Sequence, residues 1–413
     1  MRQYNRSEKK KILFVINTLG QGGAESAFIQ FVKKYDPDLY EMHLYVIMGQ
    51  GDLIKDIPAH VRLLNHHYDD SDLHSLQGKK KLMAHTLGLL VRNMALFKNI
   101  GFLVRNCPVL KKIGRHNPER LLWQVLADGC QKPEEEYDLA VAYLEGASTY
   151  YVARRVKAKR KTAFIHTDYR RSCYSPSLDR GAYEAMDRIY CVSETTRKIF
   201  LSVYPDYKDK THLFYNIIDR DSALKKAELP CSFDTDGYDG LRIVSVGRLV
   251  RMKGVDKSIR TMRILKEKGV DARWYAFGEG DARAYFEKTI DECEVRDCFF
   301  LPGAVKNPFP YLKQAHIYCQ CSEYEGRSLA ISEALMLGCP VVATDLPGNS
   351  EQITNGKNGF LVNPEPEHIA DALMKLIGDV KLREKLGENA KKQMLQECST
   401  GSLPAFLKLS DDI

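Results

Sequence analysis

Two glutamates eight positions apart, Glu325 and Glu333, and two cations in an earlier loop, Arg248 and Lys253, have types and spacing suited to chemistry. In Ser322-Glu323-Tyr324-Glu325-Gly326-Arg327-Ser328-Leu329-Ala330-Ile331-Ser332-Glu333, the first glutamate precedes a helix start and the second lies inside that helix. A helix start leaves its first backbone donors unsatisfied, so the N–H groups at Gly326 to Leu329 suit a phosphate. A carboxylate beside a bound anion is unfavourable unless it holds hydroxyls instead. Phosphate together with polyol points to a nucleotide sugar. In Val246-Gly247-Arg248-Leu249-Val250-Arg251-Met252-Lys253-Gly254, the two cations are placed to clamp a diphosphate and to stabilise charge growing on it as a leaving group.

Three further stretches carry polar groups at strand ends. Thr18-Leu19-Gly20-Gln21-Gly22-Gly23-Ala24-Glu25 imitates a dinucleotide fingerprint, but Glu25 replaces the third glycine and no acid ends the second strand at Ile47-Met48-Gly49. NAD binding is therefore excluded. Gly22 and Gly23 instead let the backbone approach a substrate, with an anion at the helix start. Phe164-Ile165-His166-Thr167-Asp168 ends a strand with a histidine and an aspartate two apart, and Glu145-Gly146 ends another. A histidine in this position is as readily structural as functional.

The elements that must position these residues form two alternating series. Apolar runs at Ile12–Asn17, Glu41–Met48, Asp138–Leu144, Thr162–His166, Arg188–Ser193 and His212–Tyr215 read as strands, with a helix from Ala24 to about Lys34. A second series restarts at Leu241–Val246 and runs through Arg273–Phe277, Phe299–Leu301, His316–Cys321 and Pro340–Thr344. Runs without strict alternation suit parallel sheets buried on both faces. At 413 residues the chain exceeds one core. The expected architecture is α/β, two doubly wound Rossmann-like domains facing a central cleft: 1–215, 216–390, and a C-terminal tail 391–413 packing back on the first domain.

The eleven cysteines show no CxxC pair, and Met1 to Lys11 is polar and basic rather than a leader. Reduced thiols in the cytoplasm are expected, with no metal and no cofactor, because no Cys/His cluster has ligand spacing. Charge is uneven. The net charge is +7, yet between Lys79 and Arg120 ten Lys/Arg face a single acid, Glu119. This stretch belongs to an insert at about 71–136, whose apolar residues are interleaved with Arg92, Lys98 and Arg105. Such helices suit the inner face of an anionic membrane, or a lid on the first domain; cations mid-segment argue against a span. With no stacking platform or DNA-reading motif, nucleic acid is not an expected partner.

Taken in order, these motifs resemble the retaining glycosyltransferases of family 4, of GT-B fold. The likeness runs through Gly22-Gly23-Ala24-Glu25, Tyr137-Asp138-Leu139-Ala140, His166-Thr167-Asp168 and Val192-Ser193-Glu194. It continues in Tyr215-Asn216, Val246-Gly247-Arg248-Leu249, Lys253-Gly254, Ser322 to Glu333, Gly338 to Asp345 and Gly359-Phe360-Leu361-Val362. The resemblance implies that Glu333 binds the donor ribose, Glu325 the donor sugar, and Arg248 and Lys253 the diphosphate. The backbone of Gly326, Arg327, Ser328 and Leu329 would lie near sugar and phosphate, His166 by the transferred sugar, and Gly22–Gly23 near donor phosphate and acceptor. It implies metal-independent transfer from a UDP-sugar to a saccharide acceptor, lipid-linked, in cell-surface glycan synthesis. A nucleotide-sugar 2-epimerase on the same fold and an inactive membrane-bound partner subunit are the competing readings. Arg327-Ser328-Leu329 departs from the family's usual apolar or proline-containing stretch, and a cation there bears on which sugar is held.

Overall fold

The computed structural model describes residues 9–20, 22–73, 75–112, 118–172 and 174–399. The chain divides into two compact units between Ile217 and Ile218. In the first unit seven strands, β1 Lys10–Ile16, β2 Tyr40–Val46, β3 Val61–Leu63, β4 Tyr137–Ala142, β5 Ala158–Ile165, β6 Arg188–Cys191 and β7 Thr211–Leu213, form one sheet in the order β3-β2-β1-β4-β5-β6-β7. Every pairing is parallel. Its helices are α1 Gly23–Val32, α2 Leu76–Val91, α3 Ala95–Lys98, α4 Ile100–Lys112, α5 Pro118–Gly129, α6 Ala147–Arg155, α7 Pro176–Asp179 and α8 Glu194–Val203.

The strands read as unbroken apolar runs because both faces are covered. Leu13 and Val15 enter one core while Ile12, Phe14 and Ile16 enter the other. Each fully buried aliphatic side chain of this kind contributes on the order of 1.5–3 kcal/mol. The short β3 has too few residues to announce itself in the sequence, and it extends the expected sheet at one edge.

Asp179 is 1% exposed and is the polar centre of the α5–α6 side of this unit. It accepts hydrogen bonds from the hydroxyls of Tyr150 (2.7 Å), Tyr204 (2.5 Å) and Tyr169. Burial pushes its carboxyl up to about 6, against the downward pull of the three hydroxyls.

The second unit repeats the plan. Its strands are β8 Leu241–Val246, β9 Ala272–Phe277, β10 Phe299–Gly303, β11 Ile317–Gln320, β12 Val341–Thr344 and β13 Gly359–Val362. They form a parallel sheet in the order β10-β9-β8-β11-β12-β13. The helices are α9 Arg220–Ala227, α10 Val255–Glu267, α11 Arg283–Glu292, α12 Phe309–Gln314, α13 Leu329–Leu337, α14 Pro347–Ser350, α15 Pro366–Gly378 and α16 Val380–Ser399. α16 runs unbroken across residue 390, so the expected boundary of a tail there falls inside a helix. Residues 400–413 of that tail, and Gln21 of the glycine loop, lie outside the described residues.

The insert is helical, α2 to α5, and its inner side packs on the first unit: Leu89 is buried in the core there, with Leu82 and Leu90 against it. Its outer side is apolar as well. Of thirteen large hydrophobic residues exposed among the described residues, eight lie here: Met83, Leu87, Val91, Met94, Leu96, Phe97, Ile100 and Val104. Among the described residues no single helix is long and apolar enough to cross a membrane. Gln77–Lys98 with Ile100–Pro108 meets length and composition only as a pair bent by 85°.

Removing the shared acceptor of the buried Tyr150 and Tyr169 and the partly buried Tyr204 takes a strong hydrogen bond from each, at roughly 1–3 kcal/mol for each buried hydroxyl. Asp179→Ala is therefore expected to lower stability by about 3 kcal/mol or more in denaturant unfolding of the full chain. Asp179→Asn, which keeps an acceptor, is expected to cost less; equal stability of wild type and Asp179→Ala would contradict this account.

Candidate functional site

In the second sheet the chain reverses direction of travel at β8, with β9 on one side and β11 on the other. The loops leaving the carboxyl ends of β8 and β11 therefore diverge, and a crevice opens between them, where open α/β sheets bind ligands. The β8 loop carries Arg248, a single 3₁₀ turn at Arg251–Lys253 and Gly254 at φ 64°. The β11 loop carries Ser322 to Ser328. Two backbone contacts bind the loops to each other. The N–H of Glu323 donates to the carbonyl of Met252 at 2.9 Å. Gly254 approaches Cys321 so closely that a Cβ would stand 1.9 Å from the Cys321 carbonyl oxygen. Left-handed backbone and this contact both require glycine.

The crossing brings Lys253 and Glu325 together, 72 residues apart in sequence and 2.5 Å from Nζ to Oε1. Gln320 Nε2 and Ser322 Oγ each donate to the same Oε1 at 2.8 Å. Gln320 is itself held, its Oε1 accepting from Tyr318 (2.8 Å) and Ser328 (3.0 Å). All the donors to Glu325 thus converge on one oxygen, and among the described residues none reaches Oε2. Gln320 escaped the sequence reading, although an amide inside an apolar strand was a visible signal.

Ser328 caps α13, its Oγ accepting from the Ile331 N–H at 3.3 Å, which leaves the first N–H groups of the helix toward the loop. Glu333 lies one turn further on and is half-buried. Desolvation pushes its carboxyl up to about 7, partly offset by Lys226 of α9. Arg248 is exposed and has no ion pair among the described residues. Arg327, the expected extra cation beside a ligand, is placed differently. Its side chain is 7% exposed and its Nη2 sits 2.6 Å from Glu397 Oε2 on α16. Its charge is neutralised within the fold, which removes it as an unpaired cation beside the Glu325 loop.

In the first unit the equivalent reversal is at β1, between β2 and β4. Gly22 is the N-cap of α1 and Gly23 its first residue. The Glu25 carboxylate folds back over Gly22, where a Cβ would meet its Oε2 at 2.1 Å, so the chain's own anion occupies that helix start. His166 follows β5, its ring against Tyr143 with centroids 5.0 Å apart. Burial holds its imidazole down at about 4, against Glu145 and a hydrogen bond to the Tyr143 backbone. Nε2 is buried without a partner among the described residues. A neutral ring that donates to Tyr143 leaves Nε2 as an acceptor. Glu145, 4% exposed, positions it by accepting from the His166 N–H (3.1 Å) and Thr167 Oγ1 (2.5 Å). Asp168 Oδ1 accepts from the N–H groups of Arg170 and Arg171, both at 2.9 Å, and closes a turn.

One group of side chains among the described residues has ligand atoms close enough to hold a metal ion: Glu41, His43 and Glu135, all within 4.8 Å. Lys11 already pairs with Glu135 at 2.6 Å, and Glu41 and His43 lie in the amino-terminal half of β2.

Comparison with known proteins accords with this geometry. Residues 238–393 match the family model described as Glycosyl transferases group 1. An uncharacterised glycosyltransferase of Methanocaldococcus jannaschii is 26% identical over 49% of this chain and 58% of its own length. The poly(ribitol-phosphate) alpha-N-acetylglucosaminyltransferase of Staphylococcus aureus is 27% identical over 46% of this chain and 38% of its own. The chain thus spans about half the length of the curated relatives it matches. Among solved structures, Anabaena HepE in complex with UDP superposes with a TM-score of 0.67 at 17% identity, over 97% of this chain and 100% of HepE. The chain has the GT-B fold of two parallel-sheet Rossmann-like units, and its residues 238–393 carry the glycosyl transferases group 1 sequence pattern.

Proposed function

We propose that this protein is a glycosyltransferase of retaining family 4. It moves a sugar from a UDP-sugar to a saccharide acceptor, lipid-linked, in cell-surface polysaccharide synthesis. The observation that carries this reading is the convergence of Lys253, Glu325 and the α13 start at the reversal point of the second sheet. Glu325 offers its unbonded Oε2 to a hydroxyl of the donor sugar while Oε1 stays fixed. Arg248 and Lys253 neutralise the diphosphate as it leaves, helped by the backbone N–H groups from Gly326 to Leu329. Glu333 holds the ribose hydroxyls.

In the first unit, neutral His166 offers Nε2 to a sugar hydroxyl, and Gly22 and Gly23 lie on the substrate side once Glu25 moves aside. With the cations in these roles, no metal or other cofactor is needed to neutralise the leaving group. The name of the S. aureus relative specifies an alpha product, and an α product from an α-linked nucleotide sugar is retention. UDP in HepE supports a uridine donor. The exposed apolar ridge of the insert, with Lys79, Lys80 and Lys81 exposed at its start, suits the inner, anionic face of a membrane where a lipid-linked acceptor would be met.

Transfer of labelled sugar from UDP-sugars into membrane extract is the direct test. Glu325→Ala and Lys253→Ala are each expected to lower the rate about 100-fold or more, the scale of losing one preorganised charge contact. Unchanged turnover in both variants would overturn the assignment.

Glu333 supplies a second test. Its carboxyl is raised from an ordinary 4.5 to about 7, so ionising it costs folded-state stability as pH climbs through that range. Ribose hydroxyls donate more strongly to the ionised carboxylate, which accepts at both oxygens, than to the neutral carboxyl, so UDP affinity should rise with pH through about 7. Glu333→Gln should bind UDP more weakly and lose that pH-dependent component. An identical pH profile in the two proteins, measured by titration calorimetry, would place the ribose elsewhere.

A further inference from the structure

A cavity of about 540 Å³ opens in the first unit, under α2 and beside the end of β2, and no residue assigned above to a ligand lines it. Its wall includes His66, His67, His85, Arg92, Lys132 and Arg155, and no carboxylate. Three permanent cations around one void repel one another unless something negative enters.

The polar atoms of the wall are poorly matched within the protein. His85 bonds the backbone of Ile47, yet its Nε2 is buried with no partner among the described residues. Arg155 donates from Nη2 to the Cys130 carbonyl at 3.0 Å, and its Nε is buried and unpartnered as well. The Arg155 Nε–H is a buried donor and the His85 Nε2, on a neutral ring that donates to Ile47, a buried acceptor; each carries a desolvation cost that a ligand can relieve.

The backbone at the mouth is strained. Asn93, which lines the cavity, and Met94 beside it both have φ near 55°. Successive non-glycine residues in the left-handed region are uncommon, and strain of this kind clusters at ligand clamps. This bend brings the exposed Val91, Met94 and Phe97 alongside Arg92 and Asn93 in sequence, at the edge of a pocket of cations.

We propose that this cavity binds a phosphate or diphosphate group. The guanidinium of Arg92 and the ammonium of Lys132 are exposed and complete the coordination from the rim; Arg155 receives the anion inside, where His85 Nε2 accepts from a phosphate hydroxyl. The group has two possible carriers, a lipid headgroup reached through the apolar ridge or a soluble phosphate ester. The site is independent of the nucleotide site proposed in the second unit.

Titration of the full chain with sodium pyrophosphate tests it, using two double variants. Arg92→Glu with Lys132→Glu changes exposed side chains only and should weaken one pyrophosphate site at least tenfold. Arg248→Ala with Lys253→Ala should leave that site intact while removing any pyrophosphate bound in the second unit, so that failure of either site is seen separately. A titration of R92E/K132E indistinguishable from wild type would overturn the proposal. Flotation with phosphatidylglycerol vesicles then identifies the carrier. Release of wild-type protein by soluble pyrophosphate supports a lipid headgroup, and vesicle binding unaffected by pyrophosphate supports a soluble ester.

Discussion

Glu325 has an oxygen to offer a ligand because its other oxygen is already taken by Lys253, Gln320 and Ser322. A carboxylate with both oxygens in water would be mobile, and one with both oxygens bonded would be closed to a substrate. The half-bonded arrangement needs Lys253 to arrive from a different loop, which the reversal at β8 provides. It also needs the two loops to approach within backbone contact, which Gly254 permits. Sheet order, a left-handed glycine and a polar residue inside β11 thus serve one geometric end.

The first unit solves a similar problem with the roles inverted. There the buried acid, Glu145, holds the backbone and side chain of the next strand's end, and the histidine is left with an unsatisfied nitrogen. Desolvation against Tyr143 and Phe164 keeps the ring neutral, so it presents an acceptor rather than a charge. In both units a group at a strand end is fixed by neighbours so that one atom stays unbonded.

Much of the fold was legible because buried parallel strands write themselves as apolar runs: Leu241–Val246 was placed to the residue. β3 was not legible, since three residues at a sheet edge carry no periodic signal. The positions of Arg248, Lys253, Glu325 and Glu333 on loops and a helix were readable from spacing. What spacing could not show is pairing across long separations. Arg327 read as an extra ligand-side cation because its partner, Glu397, lies 70 residues away on a helix with no motif of its own. Asp168 read as a candidate because turn-closing and substrate-facing aspartates look alike in sequence. Gln320 and Glu145 were undervalued for the same reason: their partners are backbone and side chains from other elements.

The Arg327–Glu397 pair has a consequence for the chain's length. Gln393 ties the same stretch of α16 to Glu397, to Asn358 and to the carbonyl of Gln352, while Gln352 Nε2 bonds the carbonyl of Ser328. The loop next to Glu325 is therefore moored to the far end of the last described helix. A shortened protein lacking that final turn would retain every residue assigned to the nucleotide sugar, yet would lose the Glu397 carboxylate from a guanidinium only 7% exposed. The outer limit of the second unit's packing is set by this mooring, several residues beyond the end of the recognisable sequence pattern at residue 393.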